Sequence, residues 1–169
     1  MADIVLCNGR GQLGDALREL NLKSNTSEKV YIYHTWNFLD KDRETQAKCY
    51  DKFVEFVEKH IAYEIVFIST YSEQNNPYTY YKQLAEAYLL TNSCRCKIVR
   101  LPILLGSGIC TDLKLGNSVP YGSLELITPE DAAYQILNIT NRPHNHNRVF
   151  RIRGENISAK LATRLLTFK

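Results

Sequence analysis

Apolar positions along the chain alternate between short continuous runs and widely spaced stripes. Ile4-Val5-Leu6-Cys7 is a continuous run that ends in a glycine-rich turn, the pattern of a buried strand. Behind the turn, Leu13, Ala16, Leu17 and Leu20 fall at the i, i+3, i+4, i+7 spacing of one buried helix face. The polar stretch Ser24-Asn25-Thr26-Ser27 predicts a loop. Val30-Tyr31-Ile32-Tyr33 is a second β-rich run, and after a connection from Asn37 to Arg43 the positions Tyr50, Phe53, Val54, Val57 and Ile61 mark a long amphipathic helix. Ile65-Val66-Phe67-Ile68 is apolar throughout, which predicts a central strand covered on both faces. A helix follows from about Tyr78 to Leu90, then a strand at Ile98-Val99-Arg100-Leu101. Pro102, Gly106 and Gly108 end the regular alternation.

Beyond Gly108 the pattern changes. Leu124 and Leu126 alternate as in a short strand, and Thr128-Pro129-Glu130-Asp131 opens a helix with an N-cap threonine, a first-turn proline and an acidic residue at the capping-box position. That helix is expected to bury Ala132, Ala133, Ile136 and Leu137, and the chain closes with a strand near Val149-Phe150-Arg151-Ile152 and a helix after Ser158. Strands alternating with helices at this spacing predict an α/β protein with a doubly wound parallel sheet. The expected organisation is a single domain over 1–169, with a nucleotide-binding core at 1–108 and a small C-terminal, substrate-side lobe at 109–169.

Composition narrows the class. At 169 residues with 44% hydrophobic and 23% charged positions, the chain is the size of one ordinary globular domain. Lys and Arg number 21 against 18 Asp and Glu, a net charge of +3 that falls short of the basic stripe of a nucleic-acid binder. No apolar run is long enough to span a membrane, and the start Met1-Ala2-Asp3 lacks a signal peptide's charged-then-apolar order, so a cytoplasmic protein is expected. Cys7, Cys49, Cys94, Cys96 and Cys110 are odd in number and scattered, as free thiols in a reducing compartment would be.

Three groups of residues carry candidate chemistry. Gly9-Arg10-Gly11-Gln12-Leu13-Gly14 matches G-x-G-x-x-G between a strand and a helix, where glycines let the backbone approach a pyrophosphate and the free N–H groups of the helix start bind it. A plain glycine-rich turn in a nucleotide-free protein is the competing explanation. Tyr78 and Lys82 stand four apart near a helix start and so share one face, where an ammonium would favour phenolate and lower the tyrosine pKa. Ser69-Thr70 ends the central strand, placing hydroxyls at the carboxyl edge of the sheet where α/β folds bind ligands.

With Ile65 to Thr70, Asn76-Pro77-Tyr78-Thr79-Tyr80-Tyr81-Lys82-Gln83-Leu84-Ala85-Glu86 and Ile98 to Gly106 in this order and spacing, the chain resembles the extended short-chain dehydrogenase/reductases, more narrowly the NAD-dependent sugar-nucleotide epimerase/dehydratase group. Glu130-Asp131-Ala132-Ala133 and the tail from Phe150 to Leu166 are similar to later parts of these enzymes. The resemblance implies a Rossmann-like fold, NAD or NADP as cofactor and a nucleotide-linked sugar as substrate. It implies Thr70, or its neighbour Ser69, as the hydroxyl that polarises the sugar oxygen, Tyr78 as acid/base, and Lys82 as electrostatic partner and ribose contact. Cofactor contacts are expected from Gly9, Arg10, Gly11, Gln12, Leu13, Gly14, Thr35, Ser69, Lys82 and Pro102, with no metal.

The chain also departs from that family. Asn8 stands where the first glycine of the extended pattern is expected, and the position about 20 residues beyond Gly14, where a carboxylate would hold the adenosine ribose, is His34. The run from Val30 to Trp36 resembles the family's fourth strand rather than its second, so the sheet is expected to have a reduced strand number, without most of the adenosine-binding wall. The first strand would then lie at a sheet edge, with residues 3–8 covered by a partner subunit, in a homo-oligomer, or by the C-terminal segment. Two functions follow: an NAD(P)-dependent epimerase/dehydratase-type oxidoreductase, or a catalytically silent module of the same fold that binds a nucleotide or protein partner. Cys94-x-Cys96 and His144-Asn145-His146 lack the converging partners of a metal site, Trp36 and Tyr71 read as core or rim aromatics, and Arg100 must be paired or turned outward.

Overall fold

The computed structural model describes residues 2–7, 9, 11–25, 27–93, 95–106, 109–117, 121–143 and 148–167. The elements in chain order are β1 (Ala2–Leu6), α1 (Gln12–Glu19), β2 (Lys23–Ser24), β3 (Val30–Tyr33), α2 (Arg43–His60), β4 (Glu64–Thr70), α3 (Pro77–Asn92), β5 (Cys96–Leu101), β6 (Ile103–Leu104), α4 (Ile109–Leu115), β7 (Ser123–Ile127), α5 (Pro129–Thr140), β8 (Val149–Arg151), β9 (Glu155–Ser158) and α6 (Ala159–Thr167). No helix among the described residues is long and apolar enough to cross a membrane.

Six strands form one sheet in the order β2-β1-β3-β4-β5-β8, parallel throughout except for β2. Successive side chains of a strand point to opposite faces, and β4 shows the result. Its Val66 and Ile68 join a core with Leu13 and Leu17 of α1 and with Ala132 and Ile136 of α5. Ile65 and Phe67 join a second core with Phe53 and Val57 of α2 and with Ala85 and Leu89 of α3. Both faces are therefore covered, which is the doubly wound arrangement, and β4, apolar from Ile65 to Ile68, lies inside the sheet as its sequence requires.

The strand order steps the same way from β1 to β3, β4 and β5, yet α1 lies on the opposite face from α2 and α3. The β1–α1–β3 connection thus has the opposite sense from the two crossovers that follow it. Parallel crossovers are almost always right-handed. A reversed one is what remains when a strand that would return α1 on the outer side of β1 is missing.

Only a remnant stands on that side. Lys23 and Ser24, expected in a loop, form β2 and pair antiparallel with Asp3 and Ala2, while Leu22 O accepts from Ile4 N at 3.2 Å. The outer edge of β1 is therefore covered at its start, from Ala2 to Ile4, by residues 22–24, and among the described residues no C-terminal strand pairs with it. Leu137, expected in the core, is half-buried against it. A second sheet, β6-β7-β9, packs with α4 and α6 around Cys110, Leu126 and Ala162. Position 108 does not separate the two sheets, since β6 precedes it while α5 and β8, which follow it, complete the larger layer.

Lys97 lies within buried β5. Its ammonium meets Glu64 at 2.6 Å and donates to Thr140 O and Arg142 O, tying the end of α5 to the sheet. A buried cation needs both its counter-charge and its remaining hydrogen bonds satisfied.

Candidate active site at the carboxyl edge of the sheet

Packing of α3 on β4 brings Lys82 to Ile68 O, the residue before Ser69 and Thr70 at the carboxyl edge, with Tyr78 beside Lys82. Helix α3 starts sharply because Asn76 Oδ1 accepts from Thr79 N at 2.9 Å and Pro77 occupies the first turn. Tyr78 and Lys82 then fall one turn apart on the side facing β4. Ser69 is 4% exposed, and its hydroxyl has no hydrogen-bond partner among the described residues. Thr70 Oγ1 accepts from Ser72 N at 3.2 Å, so part of its hydrogen-bonding capacity already shapes the turn.

Lys82 is buried, and its ammonium donates to Ile68 O at 2.7 Å. Three rings surround it, with centroids at 4.6 Å (Trp36), 4.8 Å (Phe67) and 5.9 Å (Tyr78). The aromatic faces stabilise the cation only in part. Burial brings its pKa down to about 7, against an upward pull from the Glu86 carboxylate and more weakly from Cys49 and Cys7. The expected lowering of the Tyr78 pKa by Lys82 does not occur. Desolvation of the Tyr78 hydroxyl pushes it up to about 12, because the amine is itself desolvated and held on a backbone carbonyl.

The aromatic box is fixed from a distance. Trp36 Nε1 donates to Gln46 Oε1 at 2.7 Å, and Gln46, fully buried on α2, donates in turn to Asn37 O and Asp40 O. Glu86, one turn beyond Lys82, holds Arg100 through Nε at 3.1 Å and Nη2 at 2.5 Å, so Arg100 is paired. Gln46 and Glu86 escaped the sequence reading, and the one signal either offered was a polar residue on the inner face of a helix. Another cluster links the two sheets: the Arg151 guanidinium stacks 3.8 Å over the Tyr71 ring and pairs with Glu125, which also accepts from Gly154 N.

The glycine turn is shaped chiefly by its own packing. A Cβ on Gly9 would collide with Thr35 Cγ2, and one on Gly14 would stand 2.7 Å from His34 Cε1. Gly11, at φ 137°, has open space around it and is needed for its backbone conformation. It precedes α1 without a side-chain cap, which leaves the first N–H groups of that helix to other acceptors. Arg18 crosses the turn, donating to Gly9 O and meeting Asp15 at 2.8 Å. The His34 pKa is lowered by burial and by Arg18. Thr35 Oγ1 lies 3.5 Å from Cys7 Sγ, and Pro102 is buried at the end of β5. Gln12 and Leu13 open α1, with Leu13 in the core and Gln12 beside Gly106. Arg10, Cys94, His144 and His146 lie outside the described residues.

A groove of about 350 Å³ runs beside α1, lined by Gln12, Asp15, Glu19, Leu105, Pro129 and Glu130. A second of about 340 Å³ lies between α5 and β8. Neither is lined by Ser69, Thr70, Tyr78 or Lys82. The carboxylates of the first suit no phosphate.

Solved structures share this architecture. A nucleoside-diphosphate-sugar epimerase from Staphylococcus aureus superposes with a TM-score of 0.71 at 15% identity, covering 98% of this chain and 76% of that one. The Bordetella bronchiseptica enzyme WbmH, solved in complex with NAD+, gives 0.72 at 14% identity over 97% of this chain and 79% of its own. The chain shares the Rossmann-like fold of these enzymes. A dTDP-4-dehydrorhamnose reductase from Clostridium acetobutylicum, at 0.68 and 19% identity, matches all of this chain and 82% of its own length, so the same fold accommodates a reductase. No protein-family model matches the chain, and no curated protein matches it by sequence.

Proposed function

We propose that the chain is an NAD(P)-dependent oxidoreductase of the epimerase/dehydratase type, acting on a nucleotide-linked sugar. The observation that carries this reading is the buried hydroxyl of Ser69, without a hydrogen-bond partner among the described residues and next in the chain to Ile68, whose carbonyl holds Lys82 beside Tyr78. Solved neighbours of the fold hold NAD, one of them together with UDP.

The fit to a dinucleotide is uneven. The uncapped start of α1 and Gly11, open on its free side, suit the pyrophosphate, and Ser69, Thr70, Tyr78 and Lys82 suit the nicotinamide side, whereas among the described residues no strand pairs with the outer edge of β1 beyond Asp3, where the adenosine would lie. A nicotinamide, when bound, gives or takes hydride. The chain's own part is the proton. With its pKa near 12, Tyr78 is a neutral phenol at physiological pH and so a proton donor, suited to protonating a sugar carbonyl oxygen as that oxygen gains charge. Ser69 donates a hydrogen bond to the same oxygen, while Lys82, held on Ile68 O, packs its amine against the Tyr78 ring.

A silent module is the second reading, favoured by the packing of Lys82 into its aromatic box. Titration with NAD(H) and NADP(H) separates the two. The enzyme reading expects saturable binding of at least one of them below millimolar concentration, and no binding at millimolar concentration would end it.

A further inference from the structure

We propose that this chain holds a nicotinamide dinucleotide by its mononucleotide half alone, with the adenosine adding nothing to affinity. This rests on the oxidoreductase reading above and concerns which part of the cofactor the chain can grip. In dinucleotide-binding sheets the adenosine lies against the strand on the outer side of β1, and a carboxylate at the carboxyl end of that strand holds its ribose. Here the outer neighbour is β2, two residues long. It pairs with Ala2 and Asp3, at the end of β1 remote from the glycine turn. Val5 and Leu6, which lead into the turn, are in register with Tyr31 and Ile32 on the inner side and have no β2 residue opposite them.

Nor, among the described residues near β1 and the glycine turn, does another replace the missing carboxylate. The position at the usual distance from the glycines is His34, and its ring is wedged under Gly14 on the inner side. Asp3, on β1 itself, is ion-paired with Lys23 at 2.7 Å. Asp15 and Glu19 line the groove shared with α5. By contrast, Ser69, Thr70, Tyr78, Lys82 and Pro102 are all present at the ends of β4, α3 and β5. The half-site that survives is the one that meets nicotinamide, its ribose and the adjoining phosphate.

A second consequence follows from the same absence. NAD and NADP differ by a phosphate on the adenosine ribose, so a chain that leaves this ribose unheld does not distinguish them.

Fluorescence titration of the intact chain with NADH, NADPH and reduced nicotinamide mononucleotide tests this without catalysis. The three dissociation constants are expected to agree within about threefold, with AMP failing to displace any of them. NADH binding about 30-fold or more tighter than the mononucleotide, or displacement by AMP, would overturn the inference and show that something outside this strand order supplies an adenosine wall. Failure of all three to bind would overturn the oxidoreductase reading itself, and the inference with it.

Discussion

Between pH 7 and pH 9 the chain should gain about 2 kcal/mol of unfolding free energy, and Lys82→Met should remove most of that gain. Lys82 is buried on Ile68 O among Trp36, Phe67 and Tyr78 and gives up its proton near pH 7, whereas in the unfolded chain it keeps it to about 10.5. Between those values the unfolded state binds more protons, so stability rises with pH and levels off as the unfolded amine titrates. Glu86 acts against this shift, with smaller contributions from Cys49 and Cys7. The measurement is denaturant unfolding at the two pH values. Methionine fills similar space without an ionisable group, so the variant should change by less than about 0.5 kcal/mol over the same range. An equally flat parent would mean that the amine reaches water and that the aromatic box is open.

Gly9→Ala should cost about 3 kcal/mol, because the new methyl enters the space of Thr35 Cγ2 at the end of β3, where a β-branched side chain cannot swing aside. Thr35→Ser deletes that methyl. The double variant should therefore recover most of the loss, while Thr35→Ser alone stays within about 1 kcal/mol of the parent. Additive losses in the double variant would show that Gly9 is required for a reason other than Thr35. The comparison bears on function as well as stability. A glycine demanded by β3 is explained without a ligand, so the G-x-G-x-x-G pattern weighs less for nucleotide binding than its spacing suggests. Gly11 and the uncapped helix start keep what weight remains.

Which parts of this were legible in the sequence follows from how local their causes are. β4 and β3 announce themselves because Ile65–Ile68 and Val30–Tyr33 are unbroken apolar or aromatic runs, as buried parallel strands tend to be, and α5 because Thr128, Pro129 and Asp131 cap its start within four residues. β2 and β9 were missed because Lys23-Ser24 and Glu155–Ser158 are short and largely polar, and form strands only through partners elsewhere in the chain. The likeness of the run from Val30 to Trp36 to a fourth strand rests on the same apolar pattern, and its strand, β3, lies between β1 and β4.

The site divides in the same way. Helical spacing puts Tyr78 and Lys82 on one face, but the direction in which Lys82 points depends on Trp36, and Trp36 depends on Gln46 in a different helix. An ammonium four residues from a tyrosine lowers its pKa only when the ammonium is charged and close to the hydroxyl. Burial removes the first condition and Ile68 O the second. Arg100 and Glu86 likewise meet across the gap between β5 and α3, a contact that neither segment reveals alone.

The most direct test of the central claim, that these residues form a working hydride-transfer site, is absorbance in the reduced-nicotinamide band after mixing the chain with NAD(P)H and carbonyl-bearing UDP-, dTDP- or GDP-linked sugars. The band should decay with at least one of these sugar nucleotides and persist with Tyr78→Phe. A chain that binds the dinucleotide and yet consumes no reduced nicotinamide with any of the three, or a Tyr78→Phe variant as active as the parent, would contradict it.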